Sequence, residues 1–283
     1  MKNVTQKKRV ISLIYHDVVK REDHQQSGFP TADAAIYKLD PDLFKQHLAA
    51  IAGAVSSRPI LVTELESNNE GNEGSEHPWM ITFDDGGSSS HHPIADLLEA
   101  AGWRGHFFIT TDYVGKPGFM TREQIRDLRR RGHIIGSHSC SHPLRFASRP
   151  WEEMKREWSE SAKALSEILE ERVLMASLPG GQYSRRVAQA AAAAGIKVLF
   201  TSEPVVRIDN VDGCLVIGRY SIQRWMPPAV AAGLASGLPT PRFKQWAWWE
   251  IKKATKAVGG ETYLKLREIL SIGLNRKSIK GKA

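Results

Sequence analysis

Trp79-Met80-Ile81-Thr82-Phe83-Asp84-Asp85-Gly86-Gly87 is an apolar run that ends in two adjacent acids and a glycine pair. With Pro78 before it and the glycines after it, the run reads as a buried strand. The acids therefore stand where a core strand meets a loop. Further along, His133-Ile134-Ile135-Gly136-Ser137 is a second strand-like run, which leads into His138-Ser139-Cys140-Ser141-His142 and then Pro143. The spacing predicts both imidazoles on one side of a helical turn, where they could share one metal. By themselves they read equally well as two unrelated surface histidines. No Glu follows His138, which argues against the HExxH protease pattern. Jointly the two segments can offer one carboxylate and two imidazoles to a divalent ion and leave a second carboxylate beside it as a base.

Working outward, the chain alternates. Strands are expected at 10–15, 59–62, 79–83, 106–110, 133–137, 173–178 and 197–202. Between them, helices are expected at 41–54, 91–101, 121–131, 150–171 and 184–194, with Thr121 and Gln124 as a capping box and Gly195 as a stop. Such alternation predicts a parallel sheet, and the strand number suggests a barrel. His16, Asp84, Asp85, His138, Pro179 and Gly180 all fall at or just past the C-terminal ends of these strands, the ends that converge on one face in such barrels.

These motifs resemble those of the polysaccharide deacetylases of carbohydrate esterase family 4. Thr82-Phe83-Asp84-Asp85-Gly86 matches their first motif, His138 to His142 their second, and Leu178-Pro179-Gly180-Gly181 a third. The opening Leu13-Ile14-Tyr15-His16-Asp17-Val18, with Tyr37, Phe44 and Leu48, is similar to the branch that acts on exopolysaccharides such as poly-N-acetylglucosamine. The resemblance implies an α/β fold, a distorted (β/α) barrel of about seven parallel strands. At 283 residues and 41% hydrophobic content the chain suits one such enzyme domain, expected at 1–226, with a helical extension at 227–283 on the barrel or a membrane surface. The Ser/Asn/Glu/Gly run at 67–76 reads as an exposed loop.

The resemblance also implies roles. Asp85, His138 and His142 would bind one divalent ion, zinc first and cobalt or nickel as alternatives, with a position left for water. Asp84 would be the general base, and the Gly180 N–H would meet the oxyanion. Two positions depart from the family pattern. Ser177 stands where many relatives carry an arginine that orients the catalytic aspartate, and the late histidine that protonates the leaving amine is missing, since all ten histidines lie at or before His142. His16 is the first candidate for that acid. Arg219, in Leu215-Val216-Ile217-Gly218-Arg219-Tyr220, is expected to clamp an anionic substrate or to orient Asp84, the alternative being an ordinary surface ion pair.

The expected activity is metal-dependent N-deacetylation of an amino-sugar glycan or a lipid-linked or soluble precursor. The alternative is a metal-binding, catalytically weak carbohydrate binder, favoured by the missing late histidine. Cys140 and Cys214 have no spacing that suggests a disulfide framework or a zinc finger. The basic residues are interspersed with acids, so the net charge of +8 does not suggest nucleic acid. Residues 10–15 are too short an apolar stretch for a signal-peptide core, which leads to an expectation of a cytoplasmic protein. The segment Phe243 to Lys253, with three tryptophans among lysines, and the basic tail at 276–282 fit peripheral contact with an anionic membrane face.

Overall fold

The computed structural model describes residues 9–65, 78–143 and 145–258, so the expected loop at 67–76 and the basic tail at 276–282 lie outside the described residues. The chain divides into two compact units, Met1–Arg242 and Phe243–Ala283. In chain order the first unit holds β1 (Ile11–Tyr15), α1 (Ala32–Ala35), α2 (Pro41–Ala54), β2 (Trp79–Phe83), α3 (Ile94–Ala100) and β3 (His106–Ile109). Next come α4 (Arg122–Arg130), β4 (Ile134–Ser137), α5 (Trp151–Leu169), β5 (Met175–Ser177) and α6 (Arg185–Ala193). The unit continues with β6 (Val198–Phe200), β7 (Asp209–Val211), β8 (Cys214–Ile217), β9 (Tyr220–Ser221) and α7 (Pro228–Ala235). The last of the described helices, α8 (Pro239–Val258), begins in the first unit and supplies the start of the second.

The strands form one curled sheet, a half-barrel, in the order β7-β8-β6-β5-β4-β3-β2-β1-β9. Alternating side chains divide its core. Trp79, Ile81 and Phe83 of β2 join Ile11, Leu13, Tyr15, Phe107 and Ile109 in one buried cluster that includes α2, α3 and α4 side chains. Met80, between them, packs instead with Val10, Phe108, Phe200 and Ile217. That parity is the strand period of two, with one set of side chains under the helices and the other inside the curl. Gly136 of β4 faces the inner set, where a Cβ would lie 2.6 Å from the Phe108 ring. At the opposite end of β1 from His16, Val10 N–H donates to Val206 O over 2.9 Å, tying the start of β1 to the segment after β6.

Among the described residues nine strands replace the expected seven. Eight run parallel and β7 pairs antiparallel with β8. The hairpin turns over Asp212 and Gly213, both at positive φ, the aspartate-glycine pair that a tight hairpin favours. The expected strand at 59–62 is not formed. Ile60 N–H does reach Trp79 O at 2.8 Å, but Pro59 has no donor, Leu61 N–H is taken by the Glu64 carboxylate and Val62 N–H by His106 Nε2. The capping box at α4 is present on both sides, Thr121 Oγ1 accepting Gln124 N–H and Gln124 Oε1 accepting Thr121 N–H.

Candidate active site

The C-terminal ends of the strands carry the chemistry. His16 follows β1, Asp84 and Asp85 follow β2, His138 follows β4, Ser177 ends β5, and Arg219 lies between β8 and β9. On a regular strand Asp84 and Asp85 would point to opposite faces. Asp85 instead adopts φ 77°, which redirects the chain so that both carboxylates serve one site. Five non-glycine residues among those described have positive φ, and three of them, Asp85, Ser139 and His142, lie in the two motif segments. Strain of this kind gathers where function needs a particular geometry. The loop after the acids is fixed by close packing, since a Cβ on Gly87 would lie 2.0 Å from Asp17 Oδ1.

Asp85, His138 and His142 offer ligand atoms that all lie within 4.8 Å of one another. Donors bound at about 2.1 Å around a tetrahedral ion stand about 3.4 Å apart. Asp85 Oδ1 is 3.4 Å from His138 Nε2 and 3.6 Å from His142 Nε2, so the donor set fits such an ion. His138 Nδ1 lies 3.0 Å from Ser177 O, and donation to that carbonyl leaves Nε2 as the lone-pair nitrogen facing the site. Despite burial, which pushes a carboxyl up, the neighbouring His138, His16 and His142 hold Asp85 well below the usual carboxylate range. Burial likewise disfavours a charged His138, yet Asp84 and Asp85 raise its pKa, while burial lowers that of His142. The two carboxylates thus draw positive charge to this spot, a demand a dication meets with both imidazoles neutral.

The segment from His138 to His142 is a bent loop rather than the expected helical turn, with left-handed residues at Ser139 and His142. It still brings the imidazole centroids to 5.1 Å. Cys140 points elsewhere, its Sγ 3.5 Å from Glu157 O, and burial pushes its thiol up to about 11.

Asp84 is buried and gripped from both sides. Arg219 Nη1 donates to Oδ1 and Nη2 to Oδ2, each over 2.8 Å, and Ser177 Oγ donates to Oδ2 over 3.0 Å. Burial pushes Asp84 up, but Arg219 and then His138 outweigh it and hold the carboxyl below its ordinary value. Arg219 is wholly buried and also donates to Thr82 Oγ1, Ser177 Oγ and, through Nε, Thr201 O. Its five N–H groups are matched by five protein contacts. Arg219 thus spends its N–H groups on Asp84, Thr82, Ser177 and Thr201. A signal was present in the sequence: an arginine between the apolar β8 and Tyr220 must find an anion inside the protein.

His16 stacks on Tyr37 with centroids 4.6 Å apart, and its Nδ1 is buried with no hydrogen-bond partner among the described residues. Gly180 lies in the turn after β5, at φ 68° and exposed, two residues beyond Leu178. Phe29, which the sequence did not single out, sets its ring 4.8 Å from His142.

Residues 71–199 match the family model for polysaccharide deacetylases. That stretch is similar to polysaccharide deacetylases. The matched stretch contains Asp84, Asp85, His138, His142 and Gly180 but neither His16 nor Arg219. The putative polysaccharide deacetylase YxkH of Bacillus subtilis (strain 168) is 26% identical over 130 residues, 46% of this chain and 46% of the relative, so the match spans about half of the relative's length. Two solved structures share the fold. The Streptococcus pyogenes deacetylase PplD, in complex with acetate, superposes with a TM-score of 0.64 at 18% identity, covering 82% of this chain and 99% of that one. IcaB from Ammonifex degensii gives a TM-score of 0.65 at 19% identity, covering 81% and 98%.

Proposed function

We propose that the chain is a metal-dependent hydrolase that removes N-acetyl groups from an amino-sugar glycan or glycan precursor, with exopolysaccharide-type substrates first in line. The observation that supports it most directly is the pairing of adjacent acids in different settings, Asp85 with two imidazole nitrogens and Asp84 in the grip of Arg219. Zinc, cobalt or nickel held by Asp85, His138 and His142 would act as a Lewis acid and bring the pKa of water to about 7. Asp84 Oδ2 already accepts two protein hydrogen bonds, whereas Oδ1 accepts from Arg219 and keeps a lone pair for the proton of the attacking water. The Gly180 N–H would face the oxyanion that develops on the acetamide carbonyl. His16 would pass a proton to the nitrogen as the C–N bond breaks, giving acetate and an amine. An acetate-release assay with added zinc, cobalt or nickel on N-acetylglucosamine oligomers and lipid-linked glycans tests this reading. Glycan binding without acetate release by the metal-loaded chain would favour the carbohydrate-binding alternative, which rests on the missing late histidine.

Peripheral membrane contact belongs to the same proposal. What supports it is α8, where Phe243 is 64% and Ile251 54% exposed, Trp246 and Trp248 are exposed, and Lys252 lies over the Trp248 ring at 5.3 Å. Residues 243–283 carry ten Lys and Arg against three Glu, seven of the chain's eight surplus positive charges. Aromatic and cationic side chains together suit an anionic headgroup layer. Among the described residues no helix is long and apolar enough to cross a membrane. Sedimentation with anionic but not zwitterionic vesicles, lost on Trp246→Ala/Trp248→Ala substitution, is the expected result; equal sedimentation with both vesicle types would count against it.

A further inference from the structure

His142 is the ligand candidate that no strand delivers directly: Asp85 lies two residues past β2 and His138 one past β4, but His142 sits at the far end of a bent loop. That loop makes no regular secondary structure, so its backbone groups need other partners. Four consecutive N–H groups all go to side chains. Ser139 N–H donates to Ser137 Oγ over 3.1 Å, and His142 N–H to Ser139 Oγ over 3.1 Å. Cys140 and Ser141 N–H both donate to Glu157 Oε2, over 2.8 and 3.0 Å, and Ser141 Oγ donates to Glu157 Oε1 over 2.7 Å. One turn further along α5, Ser161 Oγ accepts from Ser137 Oγ over 2.7 Å and donates to Ser139 O over 3.1 Å. Positions four apart lie on one helix face, so α5 presents Glu157 and Ser161 to the loop side by side.

We propose that Glu157, supported by Ser161, is a positioning residue that holds His142 in ligating geometry, so that α5 sets the affinity for the metal without touching it. This rests on the metal reading above. Left-handed backbone at Ser139 and His142 is unfavourable for residues with a Cβ and persists only where surroundings enforce it. Removing the carboxylate frees two N–H groups and a hydroxyl at once, and the loop can then relax and carry the imidazole away from Asp85.

The test compares Glu157→Gln and Glu157→Ala with wild type in the full chain, reading two quantities. Zinc affinity is measured by competition with a chromophoric chelator, and hydrogen exchange of the Cys140 and Ser141 amides is measured in the metal-free protein. Both variants remove the charge, but Gln keeps one acceptor oxygen for the loop. Glu157→Ala is expected to exchange faster at both amides and to lose about 10–100-fold in zinc affinity, the range for partners that orient a ligand. Glu157→Gln is expected to fall between Ala and wild type in both readouts. Faster exchange with unchanged affinity in both variants would overturn the proposal, and so would an equal loss in Gln and Ala, which would assign the effect to charge alone. Wild-type protein that binds no zinc, cobalt or nickel would overturn the metal reading itself and this inference with it. Should Glu157→Ala fail to fold, the Gln variant decides by the same two measurements.

Discussion

Ser177 and Arg219 meet over one oxygen of Asp84: Arg219 Nη2 donates to Ser177 Oγ over 2.7 Å, and that hydroxyl donates on to Asp84 Oδ2 over 3.0 Å. The position where the family resemblance leads one to expect an orienting arginine is thus filled by a small hydroxyl, and the guanidinium arrives from the junction of β8 and β9 instead. The two changes are complementary, because an arginine at both places would crowd a wholly buried site. Bidentate contact fixes the plane of the carboxylate as well as its charge, which a lysine could not do.

Adjacent acids with different partners should separate cleanly on mutation. Asp84→Asn is expected to lower turnover by about 10²–10⁴-fold, the range for a general acid or base, with metal content nearly unchanged. Asp85→Asn should lose the metal, since a neutral amide replaces the ligand oxygen nearest both imidazoles. Metal analysis of the two purified variants beside steady-state turnover decides it, and equal metal loss in both would reverse the assignment.

Arg219→Met leaves the Asp84 charge buried and unpaired. Breaking a buried pair from one side costs about 3–5 kcal/mol. The loss should appear as a lower urea midpoint. Adding Asp84→Leu to it should recover part of the stability, because no uncompensated charge then remains. A double variant less stable than Arg219→Met by the full effect of a second independent lesion would show that the pair is not coupled as the 2.8 Å contacts indicate.

Much of this was readable in the chain. The apolar strands and their terminal acids and histidines carried the sheet, its parallel sense and the metal-type cluster, because strand ends on one face are a consequence of topology alone. The edge of the sheet was not readable. β9 is two residues long and β7 three, too short for periodicity, and the 59–62 run is apolar yet spends its N–H groups on side chains. The contacts of Arg219 were half legible: its sequence position suggested Asp84 as one partner, but Ser177, Thr82 and Thr201 gave no signal. Glu157 was illegible, since one glutamate on an amphipathic helix looks like any solvated charge until its loop is placed against it.

His106 provides a pH test away from the site. Its Nε2 accepts Val62 N–H over 3.0 Å, and its Nδ1 faces Ile81 O at 3.2 Å, so the neutral ring satisfies both neighbours. Burial lowers its pKa from 6.5 to about 4. A depressed histidine pKa means that the unfolded chain binds the proton first, so stability is full above about pH 6.5 and declines as the pH falls towards 4. The whole shift corresponds to about 3 kcal/mol. Denaturant unfolding of wild type and His106→Gln across that window should show the wild type losing more stability towards acid by about that amount. Parallel profiles would mean the histidine is not the group responsible.

His16 carries the most exposed prediction. No histidine follows His142, so the leaving nitrogen needs a proton from elsewhere. His16 is near enough to both acids to lower their pKa values, and its buried Nδ1 has no partner among the described residues, which leaves room for one supplied by substrate. His16→Gln keeps a polar side chain of similar reach but cannot act as an acid at neutral pH. Amide hydrolysis should therefore fall by about 10²-fold or more, the lower bound for a lost general acid. An activated acetate ester, whose leaving group departs without protonation, should be hydrolysed at close to the wild-type rate by the same variant. Equal losses on both substrates would make His16 a binding or structural group stacked on Tyr37, and no loss on either would place the acid outside β1 altogether.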